Sequence, residues 1–151
     1  MKEGRKAPGF RLPDQDGNIV SLSDFAGRTV VIYFYPKAGT PGCTVQACGI
    51  RDRLDDYDAA DAVVVGISRD DPAALREFAD EHDLPFTLLS DPDHKVAEKY
   101  GVWVEKSMYG RKFWSVQRAT FVIGPDGKLQ KAFPKITPKK HDELVLEALA
   151  A

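Results

Sequence analysis

The stretch TVVIYFYPKAGTPGCTVQAC, residues 29–48, decides the fold because it runs from an apolar segment through a short loop into a helical pattern. The apolar run at 29–35 predicts a central strand that is covered on both faces of a sheet. Apolar positions at near-helical spacing predict a helix over residues 44–58, at Val45, Cys48, Leu54 and Tyr57. A strand, a short loop and a helix in this order indicate an α/β domain.

The same alternation continues on both sides of this stretch. The sequence predicts strands at 62–68, 86–90, 119–123 and 128–133, and helices at 72–82, 96–101 and 138–150. Towards the N-terminus, Asp16 and Gly17 separate two short alternating segments, which predicts a β-hairpin. Strands joined by tight turns imply a mixed β-sheet flanked by helices rather than a purely parallel sheet. The segment at 102–117 shows no pattern that we can assign.

Composition favours one ordinary globular domain, residues 1–151. The chain has 43% hydrophobic and 29% charged residues and a net charge of −2, which gives no reason to expect nucleic acid or an anionic membrane as a partner. No segment approaches the roughly 18 apolar residues of a membrane span, and the N-terminus has no apolar core. Two cysteines are too few for the disulfide framework of a small secreted domain. We therefore expect a cytoplasmic protein.

Cys43 is the strongest candidate for a reactive group. It lies at the predicted start of a helix, where backbone amides and the helix dipole stabilise a thiolate. Pro36 and Pro41 stiffen the preceding loop, and Thr40 brings a hydroxyl close to the cysteine. The alternative is that Cys43 is a buried apolar residue and Thr40 an ordinary helix cap.

Cys48 poses a geometric problem. Residues five apart on an ideal helix have Cα atoms about 8.5 Å apart, whereas disulfides rarely tolerate more than about 7 Å. If the two cysteines form a disulfide, the first turns of the helix must therefore unwind. The alternative is that Cys48 is a small apolar residue on the buried face of the helix.

Other site chemistries find little support in the sequence. The scattered His82, His94 and His141 stand beside Asp or Lys, so we expect them to be exposed and expect no metal site. The four-residue spacing between the cysteines differs from the Cys-x-x-Cys of dithiol oxidoreductases, and no nucleotide-binding glycine loop occurs. We expect core packing of one aromatic cluster, with a docking surface as the alternative. Its members are Trp103, Tyr109, Phe113 and Trp114.

One residue pattern is characteristic of a known family. Pro36, Thr40 and Cys43 form P-x-x-x-T-x-x-C behind the predicted strand, and the chain thereby resembles the peroxiredoxins. YFYPKxxTPGCT, with a second cysteine five positions after the first, is similar to the bacterioferritin comigratory protein or peroxiredoxin Q branch. Segments such as GRKAPGFRLPDQDG, LLSDPDHKVAEKYGV and RATFVI extend this resemblance over nearly the whole chain.

The resemblance implies a thioredoxin-like fold and a thiol-dependent peroxidase for hydrogen peroxide and organic hydroperoxides. Cys43 would become a sulfenic acid and then form a disulfide with Cys48, which thioredoxin or a similar dithiol protein would reduce. Arg118 would supply a fixed positive charge, Thr40 a hydrogen bond and Pro36 shielding from water. No bound cofactor is implied. A monomer is expected, with a dimer as the alternative.

The effect of Gln46 and the function of the two cysteines each allow an alternative. The position three residues after the reactive cysteine is usually Glu in the family, but here it is Gln46, which either favours the ionised thiol or loosens the orientation of Arg118. The same cysteines would also serve a general thiol-disulfide oxidoreductase or a non-enzymatic redox sensor.

Overall fold

The fold alternates strands and helices along the chain in the computed structural model, which describes residues 2–150. The strands are β1 (Arg11–Pro13), β2 (Ile19–Ser21), β3 (Thr29–Phe34), β4 (Ala62–Ser68), β5 (Thr87–Ser90), β6 (Trp103–Met108), β7 (Arg111–Val116), β8 (Ala119–Ile123) and β9 (Leu129–Phe133). The helices are α1 (Pro41–Asp52), α2 (Leu54–Ala59), α3 (Pro72–His82), α4 (Lys95–Lys99) and α5 (His141–Ala150). A short 3₁₀ helix, Leu22–Phe25, follows β2.

The central sheet has five strands in the order β5-β4-β3-β8-β9. β3 pairs in parallel with β4 and antiparallel with β8, so the sheet is mixed, as the sequence predicts. β3 lies in the middle, and its side chains enter two separate apolar cores. Val31 and Tyr33 belong to one core and Ile32 and Phe34 to the other. The prediction of a strand covered on both faces is therefore confirmed.

Helix α3 begins with a side-chain cap. Asp71 caps α3 by accepting a hydrogen bond from the amide of Ala74 at 2.8 Å, and Pro72 occupies the first turn, where its missing N–H costs nothing.

The single helix predicted over 44–58 is interrupted at Arg53, so that α1 and α2 are separate. Within that stretch Val45 is 47% exposed, which contradicts its predicted place on the buried face.

Two hairpins lie outside the central sheet. β1 and β2 form the predicted N-terminal hairpin around Gly17, whose φ of +82° suits glycine. The unassigned segment forms a second antiparallel hairpin, β6 and β7. Core packing of its aromatic cluster is wrong for most members, since Tyr109 is 98%, Trp114 55% and Phe113 40% exposed. Of these four residues, Trp103 packs against the core, and the hairpin that carries them is a separate two-stranded sheet.

None of the helices within residues 2–150 is long and apolar enough to cross a membrane.

Candidate active site

The candidate site lies where β3 ends and α1 begins. Thr40 is the N-terminal cap of α1, Pro41 is the first helical residue, and Cys43 is the third. The amides of the first helical turn have no partner inside the helix, so they and the helix dipole direct positive charge towards this turn. Cys43 is 1% exposed and is a free thiol. The expected placement of this cysteine at a helix N-terminus is therefore confirmed.

Arg118 is brought to Cys43 by the sheet. It directly precedes β8, which pairs with β3, so residues 75 positions apart in the chain meet here. One guanidinium nitrogen, Nη2, lies 3.3 Å from the sulfur of Cys43, and the other, Nη1, donates to Oε1 of Gln46 at 2.5 Å. The sulfur thus has a fixed positive charge at hydrogen-bond distance.

Gly42 makes room for this guanidinium. A β-carbon at position 42 would lie 3.1 Å from Nη2 of Arg118 and 3.5 Å from Cγ of Pro138. The first distance is tight, so a side chain here would require the guanidinium that contacts Cys43 to shift by a few tenths of an ångström. The absence of a side chain at Gly42 therefore admits the arginine.

Thr40 and Pro36 lie in the loop that precedes Cys43. The hydrogen bond that the Thr40 side chain makes is to the backbone and not to the sulfur. The hydroxyl of Thr40 donates to the carbonyl of Lys37 at 2.7 Å, which leaves its oxygen lone pairs available to accept a hydrogen bond. The side chain does not cap α1 in the usual way. Pro36 is half-buried and lies two residues after the end of β3. Their roles in the reaction remain predictions.

Cys48 lies on the same helix as Cys43 and is half-buried. Because both cysteines are within regular α1, the structure represents the dithiol state. The five-residue separation along a helix keeps the two sulfurs apart unless α1 changes its conformation.

Asp70, which no sequence pattern singled out, anchors the loop. One carboxylate oxygen of Asp70 accepts hydrogen bonds from the amide of Ala38 at 2.8 Å and from the hydroxyl of Ser68 at 2.7 Å. Ser68 ends β4 and β4 is parallel to β3, so both strands end at the same edge of the sheet. A Ser at the end of a buried parallel strand, with an Asp two residues later, was the signal that could have indicated this contact.

Further positive charge surrounds the site. Burial lowers the pKa of Lys106 below its ordinary value, and repulsion by Arg118 and Lys135 lowers it further, while the negative charge of an ionised Cys43 opposes the shift. The amine of Lys106 lies 3.3 Å from the carbonyl of Val116, near the start of the segment that carries Arg118. Lys106 stands in the hairpin that sequence reasoning could not assign.

The histidines depart from the prediction of exposure. His141 is fully buried, with its Nε2 atom 2.9 Å from the hydroxyl oxygen of Thr120, while His82 and His94 are half-buried. The ring of His94 stacks on Trp103 at 3.9 Å, and that of His82 packs edge-on against Phe78. Polar sequence neighbours are a poor guide here because these rings contact distant aromatic or polar groups. Among the described residues, no three His, Cys, Asp or Glu side chains are grouped so that they could hold a metal ion.

An apolar groove of about 540 Å³ lies beside the N-terminus of α1. Its lining residues are Pro41, Gly42, Val45, Thr137, Pro138, Lys139 and Lys140. The groove is mostly apolar, but two lysines stand at one side of it. It therefore offers space beside the first turn of α1 for the carbon chain of a small molecule.

Comparison with known proteins agrees with this geometry. The sequence profile of the AhpC/TSA family matches residues 4–132. Peroxiredoxin Bcp of Escherichia coli is 50% identical over 149 residues, which cover 99% of this chain and 96% of that protein. Among solved structures, the Xanthomonas campestris bacterioferritin comigratory protein has a TM-score of 0.91 at 32% identity, covering 99% of this chain and 98% of that one. Peroxidoxin BcpB of Mycobacterium tuberculosis has a TM-score of 0.87 at 36% identity, covering 99% and 97%.

The mixed sheet, the cysteine at the start of α1 and the arginine before β8 were each expected from the resemblance, and the relatives have the same thioredoxin-like fold over almost the entire described chain. The chain belongs to the AhpC/TSA family and, within it, to the peroxiredoxins of the Bcp or Q branch.

Proposed function

We propose that, in this thiol-dependent peroxidase, Cys43 is the sulfur that attacks the peroxide and Cys48 is the thiol that resolves the product. The observation that carries the proposal is the 3.3 Å contact between Nη2 of Arg118 and the sulfur of Cys43 at the N-terminus of α1. Both the guanidinium and the helix N-terminus place positive charge beside the sulfur, and the thiolate is the nucleophilic form of a cysteine.

The first step transfers one oxygen to sulfur. The thiolate of Cys43 attacks the nearer peroxide oxygen, an S–O bond forms, and the O–O bond breaks. The sulfur is oxidised to a sulfenic acid, and the departing oxygen leaves as an anion that takes up a proton to give water or an alcohol. Arg118 stabilises the negative charge on both the attacking sulfur and the departing oxygen, because its donors are already in position before the reaction begins.

The second step joins the two cysteines. The thiol of Cys48 condenses with the sulfenic acid of Cys43, so that an S–S bond forms and one water leaves. Since both residues lie on α1, this step requires no second chain, which supports a monomer as the working unit. It does require α1 to unwind locally, because residues five apart on a helix are too distant to bond.

A dithiol protein completes the cycle. Two thiols of thioredoxin or a similar protein reduce the Cys43–Cys48 disulfide and become a disulfide themselves. This exchange needs a reducing compartment, which supports the cytoplasm as the location.

The substrate is a peroxide. The apolar groove beside α1 suits the alkyl part of a small organic hydroperoxide, and hydrogen peroxide needs no such contact. The similar Xanthomonas campestris protein is known for alkyl peroxide reduction, which supports organic hydroperoxides as substrates here too.

The test is a coupled turnover assay with peroxide, thioredoxin and its reductase. Cys43→Ser is expected to abolish turnover. Cys48→Ser is expected to form a sulfenic acid but to turn over poorly, since no intramolecular disulfide forms. Full activity in Cys43→Ser would refute the mechanism.

The same assay separates the two alternatives. A general thiol-disulfide oxidoreductase would reduce insulin disulfides without consuming peroxide. A non-enzymatic redox sensor would react with peroxide once and would not turn over with thioredoxin.

A further inference from the structure

A chain of four buried polar side chains, which we call the α5 network, lies under α1. The hydroxyl of Tyr57 donates to Oδ1 of Asp142 at 2.5 Å. Nδ1 of His141 lies 3.3 Å from the same oxygen, and Nε2 of His141 lies 2.9 Å from the hydroxyl oxygen of Thr120. The network thus joins α2, the start of α5 and strand β8.

The network is built into the core rather than placed on the surface. Tyr57, Thr120 and His141 are each 0% exposed, and the side chain of Asp142 is 15% exposed. Burial raises the pKa of Tyr57, and the hydrogen bond to Asp142 raises it further, so the phenol stays protonated and remains a donor. A carboxylate buried to this degree is stable only when such partners hold it.

The fixed carboxylate touches α1 at the residue after Cys48. A β-carbon at Gly49 would lie 2.8 Å from Oδ2 of Asp142, a distance that real side chains do not adopt. α1 and Asp142 are therefore in direct contact at Gly49, and the carboxylate keeps its place through Tyr57 and His141. At the other end of the network, Thr120 is two residues from Arg118.

We propose that the α5 network is a positioning device for the resolving reaction, because it holds the Cys48 end of α1 helical and so slows its unwinding. The inference rests on the proposed function. Condensation of the two cysteines needs α1 to leave its contact with Asp142, whereas peroxide attack at Cys43 does not. The network therefore sets how long the sulfenic acid persists.

That lifetime has a chemical consequence. The sulfenic acid either condenses with Cys48, which forms S–S and releases water, or reacts with a second peroxide, which transfers another oxygen and gives a sulfinic acid that is not readily reduced. A stronger network favours the second outcome at high peroxide. Tyr57, Asp142 and His141 are thus positioning residues that act through α1 and do not touch the peroxide.

The variant Tyr57→Phe removes one donor and keeps the aromatic ring in the core. We expect the rate of Cys43 oxidation by hydrogen peroxide to stay within about twofold, and disulfide formation to become about three- to tenfold faster, as the loss of one hydrogen bond to a buried carboxylate implies. The sulfinic acid fraction at high peroxide, measured by mass spectrometry, should fall in parallel. Asp142→Asn retains an acceptor oxygen, so we expect an intermediate acceleration.

Tyr100→Phe is the matched control. Tyr100 is 2% exposed, and its hydroxyl donates to the carbonyl of Pro8 at 2.8 Å, far in sequence from α1 and in the other core. We expect Tyr100→Phe to lose about as much free energy of unfolding as Tyr57→Phe. We do not expect it to form the Cys43–Cys48 disulfide faster than the native chain.

Three outcomes would overturn the inference: disulfide formation at or below the native rate in Tyr57→Phe, no acceleration in Asp142→Asn, or an equal acceleration in Tyr100→Phe. Failure of the proposed function would look different, because the native chain itself would then form no sulfenic acid with peroxide.

Discussion

At the scale of single residues, the guanidinium of Arg118 links the reactive Cys43 to Gln46. It contacts the sulfur of Cys43 through Nη2 and the amide oxygen of Gln46 through Nη1. Gln46 therefore orients Arg118 although it lacks the carboxylate usual at this position. Because an amide is neutral, it holds the arginine without neutralising the charge that faces the sulfur.

Replacing Arg118 with Lys tests whether this geometry matters beyond charge. A lysine amine is a single point donor and cannot contact Gln46 and Cys43 at once from a planar fork. Loss of one charge-assisted hydrogen bond corresponds to a fall of about 10- to 100-fold in the second-order rate with hydrogen peroxide. Stopped-flow fluorescence of the oxidation step measures this rate directly.

The control for this substitution is Arg53→Lys. Arg53 forms an exposed ion pair with Asp56 at 3.1 Å, and such pairs contribute little. We expect the Arg53→Lys protein to react with hydrogen peroxide at the same second-order rate as the native chain. An Arg118→Lys protein that oxidises as fast as the native one would show that charge alone is sufficient.

At the scale of elements, α1 carries both cysteines and so has two tasks that conflict. As a helix it directs its N-terminal amides at Cys43, and in that form it keeps Cys48 too far away to bond. Its length favours a local change, because it ends at Asp52 and Arg53 separates it from α2. Unwinding of the first turns need not disturb the following helix.

Oxidation should therefore remove helix from residues 43–49. In the native dithiol protein we expect slow exchange of the amide hydrogens of residues 44–49, because each of them bonds to a carbonyl one turn earlier, beginning with the bond from Thr44 to Thr40. After one equivalent of hydrogen peroxide we expect faster exchange there, measured by mass spectrometry, and unchanged exchange in α3.

Cys48→Ser provides the control for the exchange experiment. It takes up the same oxygen at Cys43 but forms no disulfide, so its α1 should keep its protection. Unchanged protection of residues 43–49 in the oxidised native protein would show that the two sulfurs meet without unwinding.

The elements also show what the sequence could and could not predict. β3 and the start of α1 were predictable because their burial pattern and capping residues are local in the chain. The β6–β7 hairpin was not, since its exposed aromatic residues resemble a core pattern. The buried state of His141 was missed for a related reason: its partner Thr120 is 21 residues away, and only the packing of α5 on β8 brings them together.

The same distinction between local sequence signals and contacts made only in the fold applies to the residues of the site. Cys43 followed from its position at a predicted helix start and Arg118 from the resemblance to the peroxiredoxins, and their contact is seen in the structure. Asp70 and Lys106 were not identified, because an anchoring carboxylate and a partly buried lysine have no fixed spacing from the reactive cysteine. Such groups depend on which strand edges and hairpins lie next to one another in the fold.

At the scale of the whole molecule, four buried tyrosines make the fold sensitive to alkali. Tyr33, Tyr35, Tyr57 and Tyr100 are each at most 2% exposed. Burial is the main reason that the pKa of every one of them is raised above the ordinary value. The phenols stay protonated in the folded chain, whereas unfolding exposes them to ionisation.

The sign of the pH effect follows from proton binding. Above about pH 10, the unfolded chain binds fewer protons than the folded chain, so stability is fully present below that pH and is lost as pH rises. Lys106 acts in the opposite direction because its folded pKa is lowered, but its effect is complete near pH 10.5, where the unfolded lysine also loses its proton. The tyrosines therefore dominate the pH dependence of stability at higher pH.

We expect the free energy of unfolding of the reduced protein to fall steeply between pH 10 and 11.5, by up to about 5 kcal/mol per pH unit if all four phenols ionise on unfolding. Urea unfolding followed by circular dichroism at several pH values measures this slope. In Tyr100→Phe, one phenol fewer should reduce the slope by about 1.4 kcal/mol per pH unit. A stability that is the same at pH 9.5 and 11.5 would mean that the buried phenols ionise within the folded protein.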